Sequence, residues 1–357
     1  MPMRTWYAAL FAAGILGIIH PSDAQAQWRP AHGAIANDDG LPVHKAAFPD
    51  GVDTRRVINA AMAPFVAQVG LPTTRGFLTF ANGFQVLNNR ILVMPIHAVY
   101  ADGKIITRDG AARSARGRAL FAQVRLRACG DQIYRVEHVV DHGDIANRAD
   151  TGNDWLVGIL DRPTCVAGDH IPNVLPLGRK DERKYLLPGK GSTAKVNQLE
   201  IRQYAETPWR DLNNSDLVAR NGRNHGGRQR SWPARDSRLT VASGFITGEK
   251  YYRVVERGNR EGAIEWIKRS QWKPGTAGYG RLYETRIPHS KGNSGAPVLA
   301  SGAVERNGRR TRVNGVVGMV VSDVVDGRIA RNYLMPLRDG FFQALIKANL
   351  GILANRY

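Results

Sequence analysis

Three short segments of this chain carry residue types that can perform nucleophilic chemistry together. Ile91-Leu92-Val93-Met94-Pro95-Ile96-His97 runs an apolar stretch into a histidine. Asn153-Asp154-Trp155-Leu156-Val157-Gly158-Ile159-Leu160 sets an aspartate at the mouth of another apolar stretch. Gly292-Asn293-Ser294-Gly295-Ala296-Pro297-Val298 places a serine between glycines. A serine hydroxyl is a poor nucleophile at neutral pH and needs a neighbouring base, a role that imidazole fills because its pKa lies near the working pH. The imidazole in turn needs a carboxylate behind it to set its tautomer and stabilise the imidazolium. The oxyanion of a tetrahedral intermediate needs two backbone N–H donors. A glycine-flanked serine turn supplies them at Gly292 and Ser294, because glycine lets the backbone turn tightly and approach a substrate.

Each segment has an ordinary alternative. Gly-x-Ser-Gly is short and common, and alone reads as a structural hairpin. A single histidine reads as a satisfied or surface residue, and a single aspartate as a cap at a strand edge. It is the order His, Asp, Ser, with each residue at the end of a predicted strand, that points to catalysis.

The elements that must position these residues are short and mostly extended. Phe65–Val69, Gly76–Phe80, Phe84–Leu87 and Ile91–Met94 read as strands, with Asn82-Gly83 as a hairpin turn. Further strands are predicted at Ala122–Leu126, Tyr134–Val140, Trp155–Leu160, Val196–Tyr204, Leu239–Ile246, Arg281–Thr285, Pro297–Ala300 and Val313–Val321. Leu337–Leu350 carries Phe341, Phe342, Leu345, Ile346 and Leu350 at helical spacing. Ala219 to Arg230 is a loop by composition.

On these residues the chain resembles the trypsin-like, chymotrypsin-fold serine peptidases, and within them the bacterial branch that contains the glutamyl endopeptidases. The serine turn reads Gly-Asn-Ser-Gly, Ala98 stands where animal digestive enzymes have a cysteine, and Asp53-Thr54-Arg55-Arg56-Val57-Ile58-Asn59 with Pro64–Val69 is similar to the opening of the mature domain in that branch. The resemblance covers about Asp53 to Leu350 and is poorest in the middle. It implies an all-β fold of two six-stranded antiparallel β-barrels with a C-terminal α-helix. It implies His97 as general base and then acid, Asp154 as its orienting carboxylate, Ser294 as nucleophile, and Gly292 and Ser294 as the oxyanion hole. His289 and Ser322 are the implied substrate-binding residues.

Three departures from the family pattern matter. Met94-Pro95-Ile96-His97 replaces Thr-Ala-Ala-His. Asp154 and Ser294 lie farther apart than usual, which implies a basic insertion at about 210–280. Asn293 cannot make the ion pair that an aspartate there makes with a freed N-terminus.

The expected organisation is a signal peptide at 1–26, an arm or propeptide at 27–52 and a peptidase domain at 53–357. Within that domain the first barrel spans about 60–170, the second about 171–336 and the helix 337–350. The signal peptide rests on Arg4, the apolar run Ala8–Ile19, Pro21 and the Ala24-Gln25-Ala26 cleavage site. An uncleaved amphipathic anchor is its alternative. Export makes Cys129 and Cys165 a disulfide ahead of a redox or metal site, with two buried thiols as the other reading. A secreted or periplasmic bacterial monomer acting on proteins or peptides is expected. No membrane span is expected, since no apolar run is long enough.

The formal charge of +19 favours anionic surface polymers as further partners. The arginines between Arg220 and Arg238 lack the interleaved aromatics of single-strand binders, so no specific nucleic acid is implied. His138, Asp141, His142 and Asp144 suggest a metal site only if helical, and Arg135–Val140 reads as a strand. No cofactor and no metal is implied. The alternatives to an endopeptidase are a non-catalytic binding protein on the same barrels, or an anionic-polymer-binding role for the basic insertion.

Overall fold

A computed structural model describes residues 56–73, 76–101, 104–112, 117–143, 151–175, 199–205, 238–257, 260–285, 287, 293–306, 309–326 and 329–354. The signal peptide and arm expected at 1–52 lie outside the described residues, as do Asp144 and the arginines from Arg220 to Arg235.

The first half opens with β1 (Arg56–Val57). It continues through β2 (Val66–Thr73), β3 (Gly76–Gln85) and β4 (Ile91–Met94). A small separate sheet follows, made of β5 (Tyr100–Ala101), β6 (Lys104–Thr107) and β7 (Gly110–Ala112). Then come β8 (Gln123–Leu126), β9 (Gln132–His142) and β10 (Leu156–Leu160). Six of these strands close into an antiparallel barrel in the order β10-β4-β3-β2-β8-β9.

Strands β4 and β10 are buried at every position. Their alternate side chains serve two cores. Leu92, Met94, Leu156 and Leu160 fill the barrel. Ile91, Val93, Val157 and Ile159 face a second core shared with the other half of the chain. A strand buried on both faces reads as a continuous apolar run, which is why Ile91–Met94 shows no alternation.

The second half holds β11 (Asn173–Val174), β12 (Leu199–Ala205), β13 (Arg238–Gly244), β14 (Ile246–Arg257) and β15 (Arg260–Ile267). It ends with β16 (Tyr279–Thr285), β17 (Pro297–Arg306), β18 (Arg309–Asp326), β19 (Ile329–Pro336) and helix α1 (Asp339–Leu353). The strands form one ten-stranded sheet ordered β1-β13-β12-β17-β18-β19-β16-β14-β15, with β11 parallel to β18. This sheet is not closed, so of the two expected barrels the described residues show one. Its edge strands are β1, which pairs with β13, and β15, which pairs with β14; β13 and β14 are successive pieces of chain joined through Phe245. Part of the expected basic insertion is sheet: its strands β13 and β14 pair with β12 and β16 on either side of it, and β15 forms a hairpin with β14.

Two further readings are corrected. Asn82-Gly83 is not a hairpin turn but the middle of β3, beside Val69 and Val93. A Cβ on Gly83 would lie 2.9 Å from the Val93 carbonyl oxygen, so the glycine marks a close approach of strands. The turn itself comes later, at Leu87 (φ 63°) and Asn88, whose side chain accepts from the Arg90 amide (2.8 Å). In α1 the buried face is Phe341, Ala344, Leu345 and Ala348, while Ile346 and Leu350 are exposed. The i, i+3, i+4, i+7 spacing is as a packed helix requires, but small alanines supply half of it.

Cys129, closing the short turn after β8, forms a disulfide with Cys165 beyond β10. Among the described residues no helix is long and apolar enough to cross a membrane.

Candidate active site

His97 stands in a 3-10 turn, Ile96–Ala98, that begins where β4 ends. Strand β10 pairs antiparallel with β4, Leu156 opposite Met94 and Val157 opposite Val93. Two residues further along the same register, Asp154 comes beside Ile96 and its neighbour His97. The pairing of two buried strands thus delivers the carboxylate to the histidine. Asp154 Oδ1 accepts from the His97 backbone N–H at 2.9 Å, and Oδ2 lies 2.5 Å from His97 Nδ1. An ionised carboxylate only accepts, so in this contact Nδ1 is the donor, and in a neutral imidazole that leaves Nε2 as the acceptor. The Asp154 side chain is 8% exposed and that of His97 32%. The carboxylate is sheltered and the imidazole reaches solvent.

Ser294 follows Asn293, which is fully buried. The Ala296 amide donates to the Asn293 carbonyl (3.0 Å), and Gly295 has φ 84°. A turn with positive φ at its third residue asks for glycine there. The turn is anchored on both sides. The Gly295 amide donates to Val320 O on β18 (2.7 Å), and the Ser294 carbonyl accepts from the Asn82 amide on β3 (2.8 Å).

Gly295 also joins the serine turn to the histidine turn. A Cβ at this position would lie 2.1 Å from Asn82 O and 2.4 Å from Pro95 Cδ. Pro95 caps the turn that holds His97, so the residue after the serine rests on the residue two before the histidine. This contact gives the unusual Met94-Pro95-Ile96-His97 a role: the proline ring is the surface on which the glycine sits. Asn82 completes the junction, its Oδ1 accepting from the Tyr204 amide (2.7 Å) and its Nδ2 donating to Tyr204 O (3.2 Å). Burial pushes the Tyr204 phenol up to about 12.

The Ser294 hydroxyl donates to Val321 O at 3.3 Å. A hydroxyl has one hydrogen, so proton transfer to His97 requires it to turn away from that carbonyl. Val321 precedes Ser322, whose backbone pairs with Tyr333 just after a bulge in β18. The Ser322 side chain, His289 and Gly292 lie outside the described residues.

Of the residues picked out in the sequence, the fold brings together His97, Asp154 and the Ser294 turn. His138, Asp141 and His142 all lie on β9. Among the described residues no group of three or more His, Cys, Asp or Glu side chains is placed to hold a metal ion. Asn82, Pro95 and Gly295 escaped notice as a junction. The signal in hand was glycine inside a strand pattern, which marks close backbone approach. No protein-family model matches the chain, and none of the curated proteins compared with it matches either.

Proposed function

We propose that this chain is an exported serine endopeptidase of the chymotrypsin-like class. His97 takes the proton of Ser294 as the hydroxyl attacks a peptide carbonyl, then returns it to the leaving amine. Asp154 holds the Nδ1–H tautomer and stabilises the imidazolium. The Gly292 and Ser294 amides receive the oxyanion, and water then releases the acyl group from Ser294.

The observation that carries this reading is the seating of Gly295 on Pro95, which sets the serine turn against the His97–Asp154 pair. The fold lends support. In chain order, β2, β3, β4, β8, β9 and β10 neighbour one another as β12, β13 with β14, β16, β17, β18 and β19 do. Counting β13 and β14 as one strand bent at Phe245 gives the second sheet the strand order of the barrel, which supports a pair of related halves. The disulfide supports export. The Gly-Asn-Ser-Gly turn extends the proposal to the glutamyl endopeptidase branch, which profiling cleavage of a peptide library tests.

The mature protein is expected to label with a fluorophosphonate at Ser294 and to hydrolyse unfolded casein, and Ser294→Ala to do neither. Undiminished hydrolysis by that variant overturns the reading. A wild-type protein that neither labels nor cleaves leaves the binding-protein alternative, to which the Ser294–Val321 hydrogen bond is the structural pointer.

A further inference from the structure

Asp154 has no side-chain partner in the bonds above other than His97, yet its backbone is held at nearly every flanking residue. The Trp155 amide donates to Asn153 O (2.9 Å), and the Gly143 amide to Trp155 O (2.8 Å). Gly143 is pressed so close that a Cβ there would lie 1.7 Å from Asn153 O. The remaining hold comes from far along the chain. The Gly152 amide donates to the phenol oxygen of Tyr252 on β14 at 2.5 Å.

That phenol occupies a slot cut by two glycines on different elements. A Cβ on Gly280 of β16 would lie 2.0 Å from the Tyr252 oxygen, and one on Gly152 would lie 2.5 Å from it. Tyr252 is fully buried and stands directly opposite Gly280 in the β14–β16 ladder and opposite Trp266 in the β14–β15 ladder. Trp266 meets the Tyr252 ring edge-on, centroids 6.1 Å apart, and stacks on Tyr333 at 5.0 Å. On the opposite face of β14 the neighbouring residues fix the same register. Arg281 pairs with Glu249, both largely buried, and the Tyr251 hydroxyl donates to the other Glu249 oxygen (2.9 Å). A buried pair of this kind is better suited to setting a register than to adding stability.

We infer that Tyr252 is a positioning residue for the catalytic pair: its hydroxyl holds the Thr151–Asn153 turn and thereby aims the Asp154 carboxylate at His97. A core tyrosine needs a partner for its hydroxyl, but packing alone does not explain why two glycines clear room for that oxygen. A carboxylate that must meet both the backbone N–H and Nδ1 of one residue tolerates little displacement. The Gly152–Tyr252 bond fixes the turn from which it projects. The activity readout rests on the serine-peptidase reading, whereas the geometric readout does not.

The test is Tyr252→Phe, which removes the oxygen and keeps the ring against Trp266. Two quantities are measured: the fluorophosphonate labelling rate across pH, and the low-field proton resonance of His97 Nδ1–H. Labelling is expected to slow by roughly 10–100-fold, in line with small misplacements of a catalytic group, and the resonance to move. Trp266→Phe, which disturbs the same aromatic cluster but spares the oxygen, is expected to change neither. An unmoved resonance with wild-type labelling overturns the inference. If the wild-type protein does not label at all, the peptidase reading fails, and the resonance alone decides: a shift in Tyr252→Phe supports the positioning role and no shift overturns it. Should Tyr252→Phe not fold, exchange of the Gly152 amide in the wild type decides. Protection equal to that of the barrel strands supports the role, and rapid exchange overturns it.

Discussion

Gly295→Ala tests whether the serine and histidine turns are joined as described. The added methyl meets two obstacles. The residue has φ 84°, where a side chain costs about 1–2 kcal/mol. Its Cβ would also lie 2.1 Å from Asn82 O and 2.4 Å from Pro95 Cδ, and overpacking of this kind costs about 1–3 kcal/mol more. The expected loss is about 2–5 kcal/mol, a large part of a typical unfolding free energy of about 5–15 kcal/mol. Two other glycines separate the terms. Gly275 has φ 75° with nothing near its Cβ, so Gly275→Ala isolates the backbone cost. Gly248 has neither a positive φ nor a close neighbour. Gly248→Ala should leave stability unchanged or raise it by about 0.4–1 kcal/mol through the unfolded chain. Equilibrium urea unfolding of the three variants should rank them 295, 275, 248 from least to most stable, and fluorophosphonate labelling should fall sharply in the first alone. If Gly295→Ala unfolds at the same urea concentration as Gly275→Ala and still labels, the serine turn does not rest on Pro95 and the junction is wrong.

Asp154→Asn keeps the shape of the side chain but removes the acceptor that holds His97 as the Nδ1–H tautomer. Labelling of Ser294 should fall by about 10⁴-fold, with circular dichroism unchanged. Replacing Cys129 and Cys165 by serine removes a link between positions 36 residues apart and should lower stability by about 3–4 kcal/mol on the loop-entropy estimate, read as a drop in Tm. Tyr204 titrates above its unfolded value because burial disfavours the phenolate. The folded state therefore holds its proton where the unfolded chain has released it. The contribution is complete below pH ~10 and is lost as pH rises toward 12, by about 2–3 kcal/mol. Unfolding measured between pH 9 and 12 (~3 units, spanning the range of the titration) should show that decline, and Tyr204→Phe should lack it.

His97 and Asp154 were legible because both lie where continuous apolar runs end, and such runs become strands buried on both faces. Once Ile91–Met94 and Leu156–Leu160 pair, the local register does the rest. Ser294 was legible from the glycines that its turn requires. The junction was not. Asn82 beside Gly83 has the composition of a hairpin turn, and local chemistry favours that reading. What overrides it is a contact with Tyr204, 122 residues away, and a carbonyl of β4 pressed against Gly83. Tyr252 is hidden for the same reason, its partner Gly152 lying 100 residues earlier. Two closed barrels were expected from the family resemblance, and strand count and spacing by themselves say only that the fold is mostly β. Neither reveals that one long strand breaks at Phe245.

The hydrogen bond from the Asn82 amide to the Ser294 carbonyl has a bearing on biogenesis. The first half of the chain carries His97 and Asp154, and the second carries the nucleophile. Neither half alone carries all the residues of the proposed site, and the two meet where Gly295 rests on Pro95. On the proposed function, a chain in which the two halves have not yet docked would lack the assembled triad. Under that proposal, restraint on the activity would come from assembly of the two halves.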